Sequence, residues 1–169
     1  MNASKFFLKA ANSLITAIVA LFLILAAAYS GYALWDNAQV YAAVDDVQSE
    51  LMKLKPDPEQ KDGGASFEEL RKINPDVCGW ITLDHTKIDY PILQGEDNLT
   101  YINTDVYGDF ALSGSIFLDS GCDNTFQGKY SLLYGHHMAN HKMFGDLDLY
   151  RKKKFFDKNT TGTLILRSE

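Results

Sequence analysis

Beyond residue 65 this 169-residue chain reads as a mainly β domain with short helices, preceded by one N-terminal apolar helix. Three observations predict it. Residues 14–34 form 21 consecutive uncharged, largely apolar positions. Breakers then cluster at Pro56-Asp57-Pro58 and Gly63-Gly64. Past Pro75, short apolar segments alternate with polar turns, which is the pattern of a sheet built from many short strands.

The apolar run LITAIVALFLILAAAYSGYAL is long enough to cross the roughly 30 Å hydrocarbon core as a helix. Lys5 and Lys9 precede it and the first acid is Asp36, so the positive flank places residues 1–13 in the cytoplasm and the rest outside a single-pass membrane protein. Small residues at Ala26-Ala27-Ala28 and Ser30-Gly31 leave a cleaved signal peptide as the alternative. The run exceeds the ~7 to 15 residues of a signal core and continues into an apolar-periodic stretch at 40–54, which favours an uncleaved anchor. Residues 35–65 then serve as stalk and linker, with the helix prolonged over 40–54 and broken at the Pro and Gly clusters.

The domain proper is expected over 66–169. Ser66-Phe67-Glu68-Glu69 has capping-box spacing and starts a short helix that ends before Pro75. Strands are expected at 77–83, 88–93, 115–118, 130–134 and 163–166, with helical pieces at 98–103 and 143–150. Five short strands at this spacing predict an antiparallel barrel or sandwich.

Charge narrows the function. All 22 acidic residues but only 14 of the 16 basic ones lie beyond the apolar run, leaving a formal −8 on the remainder. Such a domain offers no field for nucleic acid. The one basic run, Arg151-Lys152-Lys153-Lys154, reads as the solvated face or end of a helix.

The densest chemical signal is Leu132-Leu133-Tyr134-Gly135-His136-His137-Met138. An apolar strand ends at a glycine that permits a sharp turn, and His136 is presented at the strand end. Imidazole exchanges protons near neutral pH, so acid/base work is available to it. His137 and His141 have the i, i+4 spacing that holds zinc on a helix, but no glutamate lies between them and Gly135 with Asn140 argues for a loop, so no metal is expected. Asp105, Asp109, Asp119 and Asp123 lack the Asp-x-Asp-x-Asp-Gly spacing of a calcium loop and read as solvated turn residues. Gly-rich phosphate cradles are lacking, and no cofactor is expected. Cys122 sits in a polar turn among acids, the opposite of the electropositive setting that thiol reactivity needs, and Cys78 reads as a small buried hydrophobe.

Five ordered blocks carry a resemblance: Asn74-Pro75-Asp76-Val77-Cys78-Gly79-Trp80-Ile81, Ile88-Asp89-Tyr90-Pro91-Ile92-Leu93-Gln94-Gly95, Asp97-Asn98-Leu99-Thr100-Tyr101-Ile102, Gly114-Ser115-Ile116-Phe117-Leu118-Asp119 and Tyr134-Gly135-His136-His137-Met138. From about Phe67 onward the chain resembles class B sortases, membrane-anchored cysteine transpeptidases of Gram-positive bacteria. The resemblance implies a sortase-type β-barrel, of which this chain supplies the earlier strands. It implies that His136 is the catalytic acid and base, and that Asn98, Ile102 and Tyr134 line the groove for the sorting signal. The implied partners are surface or pilin proteins bearing that signal, with a peptidoglycan or pilin amine as acceptor.

The resemblance implies a nucleophile in a Thr-Leu-x-Thr-Cys-like segment well downstream of the histidine, with an arginine a little further on. The 33 residues after His136 contain no such segment, so the chain is expected not to transpeptidate by itself, and Arg167 is not assigned the oxyanion role. An unclosed barrel exposes unpaired strand edges, which predicts an unstable isolated domain. Two other readings stand beside the enzyme. One is a membrane-anchored protein that binds a sorting signal or partner without catalysis, and the other is a histidine-bound metalloprotein.

Overall fold

The computed structural model describes residues 3–57, 59 and 65–166. It divides at Tyr41 and Ala42 into two compact units. Gly63-Gly64 of the expected linker and Arg167 lie outside the described residues.

The first unit is a single stretch of helix α1, Ala3–Leu51. Its Leu- and Ala-rich sequence loses little rotamer freedom on becoming helical. The hydroxyls of Thr16 and Ser30 donate to the carbonyls of Asn12 and Ala26, each at 2.8 Å, so they add no free polar group to the apolar surface. Phe22, Leu23, Ile24 and Leu25 are exposed. The helix is long and apolar enough to cross a membrane.

The second unit begins with the last turns of α1, where Val44 and Leu51 are buried at a seven-residue spacing that puts both on one face. A 3-10 turn, Met52–Leu54, follows. Helix α2 spans Ala65–Ile73 and buries Phe67 and Leu70. It starts at Ala65, so Ser66 lies in the first turn instead of capping it. Buried Asn74 ends the helix, its amide donating to Tyr101 Oη and the Val106 carbonyl, both at 3.0 Å.

Among the described residues seven strands follow: β1 Val77–Leu83, β2 Asp89–Leu93, β3 Ile116–Leu118, β4 Leu133–Tyr134, β5 His137–Met138, β6 Lys142–Met143 and β7 Gly162–Leu166. Five form one sheet in the order β4-β3-β2-β1-β7, and β5 pairs with β6 in a separate hairpin. A 3-10 stretch, Gly145–Arg151, and a one-turn helix α3, Lys153–Phe156, lie between β6 and β7.

Both faces of the sheet are covered. Trp80, Leu93, Phe117 and Ile165 join Leu51, Phe67 and Leu70 in one cluster, while Ile92, Ile116 and Leu118 join Val44, Ile88, Tyr90 and Met143 in the other. That double burial explains why β3 is apolar at all three positions instead of alternating.

The expected fold class holds: short strands and short helices after a long apolar helix. The sheet stays open among the described residues, which agrees with the expectation that only the earlier strands of a barrel are supplied. Three details differ. The pair β2 and β3 is parallel, because the 22 residues between them cross over instead of turning back as a hairpin. The strand expected at 130–134 shrinks to Leu133–Tyr134, since the chain turns at Asp119, whose amide makes the last bond to the Leu132 carbonyl, and Tyr130 is left exposed. The hairpin β5–β6 was not anticipated, because two-residue strands carry no periodicity.

Candidate functional site

His136 lies two residues past β4, and Gly135 makes its placement possible. A Cβ at Gly135 would fall 2.3 Å from Ile116 Cδ1 and 3.0 Å from Phe144 Cδ2, so any larger residue must push those side chains aside. The His136 carbonyl accepts the Phe144 amide at 2.9 Å, which ties the turn to the hairpin behind it.

The half-buried imidazole places Nε2 2.8 Å from the Ile102 carbonyl oxygen. A carbonyl only accepts, so Nε2 carries the hydrogen and Nδ1 is the basic nitrogen of the neutral ring. When Nδ1 takes up a proton, the Nε2 bond persists. One nitrogen is held and the other is left for proton exchange.

Ile102 closes a 3-10 turn, Thr100–Ile102, entered through Asp97. Asp97 Oδ1 accepts the Leu99 and Thr100 amides at 2.9 and 2.8 Å and the Thr100 hydroxyl at 2.8 Å. Those donors hold the exposed Asp97 carboxyl below its ordinary value, the Leu99 amide contributing most. On the same turn, Asn98 donates from Nδ2 to Asp119 Oδ2 at 2.7 Å and accepts the Ser120 amide on Oδ1 at 2.7 Å.

Tyr134 completes the set. Its hydroxyl donates to the same Asp119 Oδ2 at 3.0 Å, and its ring lies 5.3 Å from that of Phe117. The bond to Asp119 raises the phenol's pKa. Asp119 is held low in turn, by the Gly121 amide first and then by Asn98 and Tyr134.

The four residues singled out in the sequence therefore converge: Asn98 and Tyr134 on one carboxylate, His136 on the backbone of Ile102. Asp119, by its sequence context a solvated turn residue, is the hub of the cluster. Its Asp-Ser-Gly turn was legible, since Oδ1 accepts the Gly121 amide at 2.9 Å, but its partner 21 residues upstream was not.

The other histidines are held apart. His137 Nε2 sits 2.9 Å from Asp148 Oδ2, and His141 bonds the buried Asp146, whose second oxygen accepts the Lys87 amide at 2.6 Å. Asn140 and His141 have φ of +57° and +64°, so the segment is the turn of a hairpin and not a helix. No group of three or more metal-ligating side chains occurs among the described residues.

Both cysteines are free thiols. Cys78 is buried, its thiol donating to the Ile92 carbonyl at 3.5 Å, and burial pushes its pKa up to about 12. Cys122 is half-buried in the turn after Asp119, its amide donating to the Asp119 carbonyl at 2.9 Å. Neither thiol has His136 as a hydrogen-bond partner. A cavity of about 280 Å³, lined by Arg71, Asp76, Cys78, Gln94 and Asn124 among others, contains none of the four site residues.

Comparison with known proteins decides the family. A sortase B of Listeria monocytogenes is 35% identical over 135 residues, covering 78% of this chain and 54% of that protein. This chain belongs to the class B sortase family. The sortase B of B. anthracis in complex with AAEK1 superposes with a TM-score of 0.71 at 30% identity, over 76% of this chain and 64% of that one. A Streptococcus pyogenes class B sortase involved in pilus biogenesis gives a TM-score of 0.57 at 52% identity, over 62% of this chain and 57% of that one. The chain spans 38% and 54% of the two curated sortase B relatives it matches, about half their length. No protein-family model matches it.

Proposed function

We propose that this class B sortase chain provides the acid/base half and part of the peptide groove of a membrane-anchored cysteine transpeptidase. In that reaction a cysteine thiolate attacks a carbonyl carbon of the sorting signal. The C–N bond breaks as His136 gives a proton to the leaving amine, and the acyl group is held as a thioester. An incoming amine of peptidoglycan or a pilin then attacks the thioester carbonyl. It passes a proton to His136 as the C–S bond breaks and the thiolate is released. Two acyl transfers of moderate barrier replace one difficult displacement.

The observation that carries this reading is the His136 imidazole pinned through Nε2 to the Ile102 carbonyl, on the turn that also presents Asn98. Asn98 fixes a peptide backbone, while Ile102 and Tyr134 bury an apolar side chain of the signal. The apolar helix anchors the domain outside the cell, with residues 1–13 in the cytoplasm. The domains follow as 14–34 membrane span, 35–65 stalk and linker, and 66–169 catalytic-domain portion.

The full-length protein, incubated with a panel of sorting peptides and a diglycine acceptor, releases the leaving peptide and forms the diglycine adduct by mass spectrometry. His136→Ala reduces turnover by at least ~100-fold, the lower range for a general acid/base. Unchanged turnover in that variant refutes the assignment.

The placement of the two thiols favours a second reading for this chain, which is binding of the sorting signal without turnover, since the Cys78 thiol is buried and protonated and Cys122 lies in the Asp119 turn. Saturable peptide binding without product, by calorimetry, distinguishes it from the first.

A further inference from the structure

The geometry points to Asp119 as the positioning residue of the peptide groove, the group that orients the Asn98 amide and the Tyr134 ring for a bound peptide backbone. This rests on the reading of Asn98 and Tyr134 as groove residues.

A side-chain amide offers two N–H donors and two acceptor lone pairs, and its two ends look alike to any neighbour that both donates and accepts. A carboxylate only accepts. Asp119 Oδ2, 2.7 Å from Asn98 Nδ2, therefore admits only the NH₂ end, and the Ser120 amide, 2.7 Å from Oδ1, admits only the carbonyl end. Both ends of Asn98 are set by consecutive residues of one turn. One N–H and one lone pair stay uncommitted on Asn98. Those are the complements of the C=O and N–H of a peptide unit.

The same Oδ2 accepts the Tyr134 hydroxyl at 3.0 Å, which fixes the phenol end of a ring that rests against Phe117. Asp119 is itself anchored through its backbone. Its amide donates to the Leu132 carbonyl at 2.9 Å, and its carbonyl accepts Gln94 Nε2 and the Cys122 amide, each at 2.9 Å. The carboxylate thus links the 97–102 turn, the end of β3 and β4, the three segments that carry the groove. It contacts peptide only through Asn98 and Tyr134.

The test uses the full chain in detergent micelles, with ring-labelled tyrosine and labelled side-chain amides followed by NMR, and Tyr134→Phe to assign the Tyr134 signal. In Asp119→Ala the Tyr134 titration moves down toward that of an ordinary phenol, and the two Asn98 amide protons lose their separate shifts. Affinity for the best-bound peptide of the sorting panel falls by at least tenfold in both Asp119→Ala and Asn98→Ala. The double variant loses less than the two single losses combined, because Asp119 acts through Asn98 and Tyr134 and its Asn98 share is already gone.

Asp119→Asn keeps one oxygen for Asn98 and Tyr134 and gives up the charge and the Gly121 amide bond, neither of which faces the peptide, so it restores affinity to within about threefold of wild type. It also serves if Asp119→Ala does not fold. Additive losses in the double variant, an unperturbed Asn98 amide in Asp119→Ala, or equal losses in Asp119→Asn and Asp119→Ala overturn the positioning role. A wild-type chain that binds no peptide refutes the groove reading instead, and the Asn98 and Tyr134 signals then decide by themselves whether Asp119 orients them.

Discussion

Gly114→Ala tests whether the backbone under His136 is as constrained as its geometry implies. Gly114 has φ +54°, and a Cβ there would lie 2.2 Å from the Ile102 carbonyl oxygen and 2.6 Å from that of Tyr101. Real Cβ atoms do not come so close to backbone, so residues 101 and 102 must move. The Ile102 oxygen is the acceptor of His136 Nε2, and the Tyr101 oxygen accepts the Ser115 amide at 3.0 Å. Left-handed backbone costs an alanine about 1–2 kcal/mol. Each of the two weakened hydrogen bonds adds roughly 1 kcal/mol. The sum, about 3–4 kcal/mol, is a large part of the 5–15 kcal/mol that stabilises a typical domain.

Urea unfolding of the full chain in micelles, followed by fluorescence of the buried Trp80 in a Trp35→Phe background, reads the effect. With an m-value of about 1–3 kcal/mol/M, the midpoint falls by roughly 1–4 M. Gly108→Ala is the control. Its φ is +86° but no atom lies within 4 Å of the added carbon, so it pays only the backbone cost. Equal midpoints for the two variants, with the His136 Nε2–H resonance unchanged in Gly114→Ala, would refute the reasoning.

Two further predictions concern ionisation. Cys78 resists alkylation at pH 8 while Cys122 labels first, and a faster Cys78 contradicts its burial. The Cys78 thiol rises from 9.0 to about 12 on folding, so the folded state holds a proton that the unfolded chain releases. Its contribution to stability is intact below pH 9 and is lost as pH climbs toward 12, and Cys78→Ala makes the alkaline fall in unfolding midpoint shallower. Tyr90 and Tyr101, also raised, leave a residual slope. Asp97 is shifted the other way. Its contribution is present above its unfolded value of 3.8 and is lost as pH falls through the lower folded one, so Asp97→Ala removes the acid-dependent broadening of Leu99 and Thr100 amide signals. Persistence of that broadening in the variant contradicts the capping role.

Much of the site was readable because it is local. The apolar run of α1, all seven residues of β1 and the placement of His136 just past a strand and a glycine follow from periodicity and turn chemistry within a few positions. Ordered motifs then selected the family. What tertiary structure alone decided joins residues far apart in the chain. The parallel pairing of β2 with β3 depends on how residues 94–115 cross over, which no alternation of side chains encodes. Asp119 meets Asn98 across 21 positions, and His136 meets the Ile102 carbonyl across 34. An aspartate before Ser-Gly looks like any solvated turn until folding delivers an amide and a phenol to one of its oxygens. The residue types set which hydrogen bonds were chemically available, and the packing of the 97–102 turn against β3 and β4 chose among them.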